Sequence, residues 1–172
     1  MNYVTKKIII SDFDDTIFSR EEQLEKEKIL RENRWEKWNL IVKNDFWFDY
    51  MIDNYYTNKN FPQDIISKMW ENDLIITAWM KEYQEKKIKS CWLDNIKKII
   101  VKNPEEKIEA LIEYICSLDF IPDQIEIYED RPIYFIKNKN YLEERLNTRI
   151  NIYYVEMDGN RWYKKIELQN EL

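Results

Sequence analysis

Short apolar runs along the chain end in polar residues, and stretches with helical spacing separate these runs. Residues 8–10 are three isoleucines, and consecutive β-branched residues predict a strand that is buried on both faces. Apolar or alternating patterns predict three more strands, at 73–77, 96–101 and 124–128.

The C-terminal region predicts a β-hairpin. Residues 150–157 and 161–168 have strand character and flank Asp158 and Gly159. Gly159 is the only glycine in the chain, and it stands where a turn most needs a positive φ.

A long charged segment follows the first strand. Residues 19–44 carry Trp35, Trp38 and Val42 on one helical face, which predicts an amphipathic helix. The aromatic stretch 45–60 has no clean period and receives no assignment.

Four shorter patterns also predict helices. One begins at Pro62 and carries Ile65, Ile66, Met69 and Trp70. The other three cover 80–88, 104–117 and 141–146. The helix over 104–117 has the strongest start, because Asn103 suits the N-cap, proline the first position and glutamate the third. Its apolar face consists of Ile108, Leu111, Ile112 and Ile115.

Strands that alternate with helices favour an α/β fold with a mainly parallel sheet. Residues 1–17 and 73–172 form the predicted core, and 18–72 form a helical, aromatic-rich insertion after the first strand. The chain has 172 residues, which is enough for one domain with a real core and a small inserted module.

Composition removes several function classes. The chain has no histidine, which excludes Ser-His-Asp triads and His-ligated zinc, and its single glycine excludes glycine-rich phosphate loops. A net charge of −6 argues against a broad basic surface for nucleic acid. Cys91 and Cys116 stand far apart, and no apolar run has the length of a membrane span or a signal peptide. We therefore expect an intracellular, cytoplasmic protein that does not enter a membrane.

Asp12 and Asp14 follow the first predicted strand directly. Ligands bind beyond the carboxyl ends of strands in open parallel sheets, and two neighbouring carboxylates repel each other unless a cation lies between them. Carboxylate oxygens are ligands that Mg²⁺ prefers, so the pair predicts a magnesium site. The alternative is a structural turn in which the aspartates bond to nearby backbone.

Candidate chemistry follows two other strands. The run 74–76 ends in Thr77, Lys107 lies in the first turn of the predicted helix 104–117, and strand 124–128 ends in Glu129 and Asp130. This order of motifs resembles the haloacid dehalogenase (HAD) superfamily of phosphotransferases. The segment Ile127-Tyr128-Glu129-Asp130-Arg131-Pro132 and a tryptophan-bearing insertion resemble, more narrowly, the Swiss-army-knife RNA-repair-type HAD domains. Those domains are related to the 3′-phosphatase half of polynucleotide kinase-phosphatases.

The resemblance implies a HAD-like three-layer α/β/α sandwich and a set of catalytic roles. Asp12 would attack phosphorus and form an aspartyl-phosphate, and Asp14 would protonate the leaving oxygen and then activate water. Thr77 would bind the phosphoryl oxygens, and Lys107 would offset the negative charge. The implied Mg²⁺ ligands are Asp12, Asp14, Glu129 and Asp130. The implied substrate contacts are Thr16, Ala78, Trp79 and Arg131.

The chain departs from the family pattern at three places. Trp79 stands where an arginine usually follows the second motif, and such an aromatic ring could stack on a base or pack in the core. Lys102 competes with Lys107 as the site lysine, and Lys107 is preferred because it lies on the capped helix. Tyr134 lies near the usual place of a histidine in the fourth motif.

Three functions are compatible with these residues. The first is a Mg²⁺-dependent phosphatase that removes a terminal phosphate from a polynucleotide, RNA foremost. The second is a phosphatase of phosphorylated metabolites, with the insertion as a lid. The third is a degenerate HAD fold that binds protein through its aromatic insertion, although four retained motif residues argue against decay. The tryptophans Trp35, Trp38, Trp47 and Trp70 fit the core of the insertion better than a base-stacking platform.

Overall fold

Among the residues that the structure describes, five parallel strands and one antiparallel strand form the sheet. The computed structural model describes residues 6–20, 45–57, 63–158 and 162–168, together with Gln23 and Lys26. The strands are β1 (Lys7–Ser11), β2 (Leu74–Ala78), β3 (Lys97–Val101), β4 (Gln124–Glu129), β5 (Arg149–Asp158) and β6 (Trp162–Glu167). Their order across the sheet is β3-β2-β1-β4-β5-β6. Strands β5 and β6 are antiparallel, which confirms the predicted hairpin, and their connection at 159–161 lies outside the described residues.

Helices cover both faces of this sheet. The helices of the described ranges are α1 (Asp45–Tyr55), α2 (Gln63–Ile66), α3 (Lys81–Ser90), α4 (Lys107–Cys116) and α5 (Ile133–Leu146), and a 3₁₀ turn at Pro104–Glu106 leads into α4. Among the described residues, no helix is both long enough and apolar enough to cross a membrane.

The side chains of β2 show how the layers form. Leu74 and Ile76 pack with α4 and α5 on one face, whereas Ile75 packs with α1 and α3 on the other. Successive residues of a strand point to opposite faces, so each face needs its own apolar cover. The predicted α/β class with a mainly parallel sheet is therefore confirmed, and the described helices make three layers.

Helix α5 begins earlier than predicted. The sequence predicts a short helix at 141–146, but the helix starts at Ile133. Its buried side chains Phe135, Leu142 and Leu146 are widely spaced, and the intervening lysines and asparagines hide the helical period. The helix ends before Asn147, which adopts a left-handed conformation with φ of 50° as helix-terminating asparagines often do.

Two other assignments change within 45–73. Helix α1 occupies part of the stretch without a clean period, and it buries Met51, Ile52 and Tyr55. Helix α2 ends at Ile66 instead of continuing to Trp70. The predicted amphipathic helix at 19–44 lies almost wholly outside the described residues.

Candidate active site

The polar ends of three adjacent strands meet at one edge of the sheet. Strand β1 lies between β2 and β4, with Ser11 in register with both Ile75 and Tyr128. Just beyond β1, the backbone N–H of Asp12 donates to the carbonyl of Tyr128 at 2.9 Å. These strand ends therefore lie side by side. The edge therefore carries Asp12, Thr77, Glu129 and Asp130.

Three of these side chains form a carboxylate cluster. One oxygen each from Asp12, Glu129 and Asp130 lies within 4.8 Å of the others. Asp12 Oδ1 is buried, and the Nζ of Lys107 lies 3.1 Å from it. Because three carboxylates converge here and oxygen donors suit hard cations, this donor set fits Mg²⁺.

The cluster is electrostatically unfavourable without a cation. Burial, followed by the negative charge of Asp12, raises the pKa of Asp130 to about 7. Burial and the charge of Asp12 also raise the pKa of Glu129 well above its ordinary value. A divalent cation at this position would remove both penalties.

Lys107 links two members of the cluster. Its Nζ donates to Glu129 Oε2 at 2.8 Å and lies 3.1 Å from Asp12 Oδ1. Burial acts to lower the pKa of Lys107, but the charges of Asp12 and Glu129 outweigh it and raise the pKa. Lys102 is exposed, so Lys107 is the lysine that reaches the site.

The start of α4 explains how Lys107 is placed. Asn103 Nδ2 donates to Glu106 Oε1 at 2.7 Å, and the backbone N–H of Lys102 donates to Glu106 Oε2 at 3.1 Å. These bonds close the 3₁₀ turn at Pro104–Glu106, so that the first α-helical residue is Lys107. The predicted helix thus begins as a tight turn, and Asn103 bonds to a side chain rather than capping the helix.

The side chain of Asp14 has different partners. Its carboxylate accepts hydrogen bonds from Lys87 Nζ and, at 3.2 Å, from Gln84 Nε2, and Arg20 Nε lies 4.0 Å away. Burial acts to raise the pKa of Asp14, but the charges of Lys87 and Arg20 outweigh it and lower the pKa. Asp14 is therefore ionised at neutral pH, and its carboxylate lies outside the three-carboxylate cluster.

A cavity of about 380 Å³ opens over these groups. Its described lining includes four carboxylates (Asp12, Asp14, Glu129, Asp130), three cations (Arg20, Lys107, Arg131), two residues from the end of β2 (Thr77, Ala78) and four others (Pro104, Ile133, Tyr134, Phe135). Arg131 Nε lies 3.4 Å from Asp130 Oδ2. The cavity therefore combines acidic groups that suit a metal with cations that suit an anionic ligand.

Two predicted substrate contacts lie elsewhere. Thr16 is fully buried, and its hydroxyl has no hydrogen-bond partner among the described residues. Trp79 adopts φ of 101° and packs edge-on against Tyr83, with ring centroids 6.0 Å apart. Neither residue belongs to the described cavity lining. Of the two readings of Trp79, packing in the core agrees with this position.

The sequence interpretation missed Lys87 and Arg20. Lys87 lies on the buried face of α3 together with Tyr83, Gln84 and Ile88. A lysine on the apolar side of a helix is a signal that a buried partner carries the opposite charge. Arg20 follows the first motif. Its guanidinium lies 2.5 Å from the carboxylate of Asp15, and its backbone N–H donates to the same carboxylate at 3.0 Å.

Neutralising one carboxylate of the cluster should stabilise the metal-free protein. Above pH 7, where the Asp130 carboxylate is mostly ionised, we expect Asp130→Asn to raise the free energy of unfolding by about 1–2 kcal/mol in chelator, because it removes a partly buried charge that Asp12 and Glu129 repel. The same variant should lose most of the stabilisation that Mg²⁺ gives the parent protein. Urea unfolding with and without Mg²⁺ measures both effects, and a less stable metal-free variant would contradict the repulsive cluster.

Comparisons of the chain with protein-family models, with curated proteins and with solved structures find no match.

Proposed function

We propose that the protein is a Mg²⁺-dependent phosphatase of the HAD type that works through an aspartyl-phosphate at Asp12. One observation carries the proposal: Asp12 belongs to a three-carboxylate cluster and faces a buried lysine in the same cavity. Phosphoryl transfer needs a positioned nucleophile and compensation of negative charge, and these residues can supply both.

The proposed reaction divides into two halves. In the first, a carboxylate oxygen of Asp12 bonds to phosphorus while the bond from phosphorus to the leaving oxygen breaks. In the second, water attacks the aspartyl-phosphate and releases inorganic phosphate. Thr77, which lines the cavity with its side chain buried, is suited to donate to the phosphoryl oxygens.

The charges that line the cavity explain why the proposed reaction would require a metal ion. If all four lining carboxylates are ionised, as metal binding requires, they outnumber the three lining cations, and a phosphate dianion would meet excess negative charge. Mg²⁺ bound by Asp12, Glu129 and Asp130 would supply the charge that stabilises the phosphoryl group. Lys107 contacts both Asp12 and Glu129 and offsets part of their charge.

Asp14 fits the base role better than the acid role. Its lowered pKa leaves the carboxylate ionised and able to take a proton from the attacking water. The motif resemblance also assigns it the earlier protonation of the leaving oxygen, which the ion pair with Lys87 disfavours.

The substrate class rests on the narrower motif resemblance. The RNA-repair-type motif suggests a terminal phosphate on RNA or another polynucleotide. A phosphorylated metabolite is the second candidate, because a cavity of about 380 Å³ lies within the range of small-molecule sites, roughly 300–1,000 Å³.

A phosphate-release screen tests the proposal. It compares 3′- and 5′-phosphorylated oligonucleotides with mononucleotides and sugar phosphates, each in Mg²⁺ and in excess chelator. We expect Mg²⁺-dependent release, highest from an oligonucleotide end. Preference for a small ester would replace the polynucleotide assignment by the metabolite one, and inactivity on every substrate would favour a protein-binding module.

Tyr134 offers a test of base stacking at the cavity. It is partly exposed on the first turn of α5 and lines the cavity. If a nucleobase stacks on it, Tyr134→Ala should lower kcat/KM for the oligonucleotide by an amount that corresponds to about 1–3 kcal/mol. The kcat/KM for a small generic ester should not change. Tyr141→Ala, at an exposed tyrosine of the same helix outside the cavity lining, is the control. Equal losses on both substrates would show that the ring is structural.

A further inference from the structure

A buried lysine of α3 forms an ion pair with Asp14. Lys87 is only 1% exposed, and its Nζ contacts Asp14 Oδ2. The same Nζ lies over the rings of Phe13, Tyr56 and Tyr83, at 5.6, 5.2 and 4.9 Å from their centroids. Aromatic faces attract a cation, so the rings fix the ammonium in one place.

Two other hydrogen-bond donors restrict the orientation of the Asp14 carboxylate. Gln84 Nε2 donates to Asp14 Oδ2 at 3.2 Å and to the carbonyl of Ala78 at 2.9 Å, which ties the carboxylate to the end of β2. Tyr56 donates to Asp14 Oδ1 at 3.4 Å. The carboxylate is thus held from α3 and from the segment after α1, while Asp14 still lines the cavity.

A buried ion pair of this kind contributes little to the net stability of a protein. Taking both charges out of water costs several kcal/mol, and well-packed apolar residues often serve a core equally well. Here the pair joins a cavity residue to a helix that presents apolar residues on the same face, such as Tyr83 and Ile88. A role in the chemistry of the cavity would explain why this face carries a lysine.

We propose that Lys87 is a positioning residue that holds the Asp14 carboxylate ready to accept a proton from the water that hydrolyses the aspartyl-phosphate. The inference rests on the proposed phosphatase function and assigns a role to a residue that the motifs do not include. In the step concerned, the water oxygen bonds to phosphorus, the water proton passes to Asp14, and the bond from phosphorus to Asp12 breaks. Asp12 leaves with the electron pair as a free carboxylate, and phosphate is released.

The test separates the two halves of the reaction. The substrate is 4-nitrophenyl phosphate, because nitrophenolate leaves without needing a proton from Asp14. In Lys87→Met the first half should proceed normally, so kcat/KM should stay within about threefold of the parent value. The second half should slow, so kcat should fall by about 10²-fold or more. Phosphorylated protein should accumulate as a burst of nearly one nitrophenolate per chain.

The matched control is Lys86→Met, on the neighbouring position of α3. Lys86 is exposed and pairs with Asp49, and its loss should leave both kinetic constants and the burst unchanged. If kcat and kcat/KM fall together in Lys87→Met without a burst, the lysine is structural and the inference is overturned.

A second variant keeps the inference testable if Lys87→Met does not fold. Gln84→Met removes one donor to Asp14 while retaining the buried cation. It should lower kcat by about tenfold and enlarge the burst without lowering kcat/KM. Absence of that pattern overturns the positioning role. A parent protein that releases no nitrophenolate in Mg²⁺ would instead overturn the proposed function, and this inference with it.

Discussion

Asp12→Asn is expected to lower Mg²⁺-dependent phosphate release by about 10⁴-fold or more, because the amide removes the nucleophile and a charged metal ligand together. The shape of the side chain is kept, so the fold should be retained. The variant should be at least as stable as the parent in chelator, since one charge has left a repulsive cluster. Steady-state phosphate release and urea unfolding measure the two effects.

The control for this variant is Asp119→Asn, at an exposed aspartate outside the cavity lining. It should change neither activity nor stability appreciably. Undiminished turnover in Asp12→Asn would exclude an aspartyl-phosphate at this residue. Full activity of the parent protein in excess chelator would exclude the metal.

Lys107→Met should have the second largest effect, on stability as well as activity. Lys107 is buried and contacts both Asp12 and Glu129, so its removal leaves two buried carboxylates without their cation. We expect a loss of about 3–5 kcal/mol in the free energy of unfolding in chelator. Phosphate release should fall strongly as well, since charge compensation near Asp12 is lost.

Metal should partly compensate for the missing lysine. The variant cluster carries one more uncompensated charge, so Mg²⁺ should stabilise Lys107→Met more than it stabilises the parent. Lys102→Met is the matched control, because Lys102 is exposed and lies on the same approach to α4. An equal response of the parent and Lys107→Met to Mg²⁺ would show that Lys107 and the metal do not share these carboxylates.

The core strands of the sheet could be predicted from local patterns of apolar residues in the sequence. The isoleucines at 8–10 and the run 74–76 are short, continuous apolar runs, the strand at 124–128 alternates, and each of these patterns is typical of a strand in a buried sheet. Helices were harder to predict where apolar residues were too dense or too sparse. In α1 aromatic residues obscure the amphipathic period, and in α5 polar residues interrupt it.

The candidate site was predictable where it depends on strand ends. Parallel neighbours bring Asp12, Thr77 and Asp130 to one edge, and the position of each in the sequence already contains that information. The partner of Asp14 was not predictable in this way. Lys87 lies 73 positions further along the chain, and only the packing of α3 against the sheet brings the two together.

The contacts of Trp79 illustrate the same limit. The motif comparison raised a stacking role, because the residue follows Thr77 and Ala78 at the end of β2. Its positive φ and its contact with Tyr83 direct it towards the packed core. Backbone conformation beyond a strand end cannot be inferred from the apolar pattern that predicts the strand.

Trapping of the phosphorylated protein tests the central claim most directly. The protein is mixed with a radiolabelled phosphate ester in Mg²⁺, quenched in acid during turnover and digested for peptide mapping. The proposed mechanism predicts Mg²⁺-dependent label on the peptide that contains Asp12, and no label in Asp12→Asn. Mg²⁺-dependent turnover with no covalent label, or with label on another residue, would contradict it.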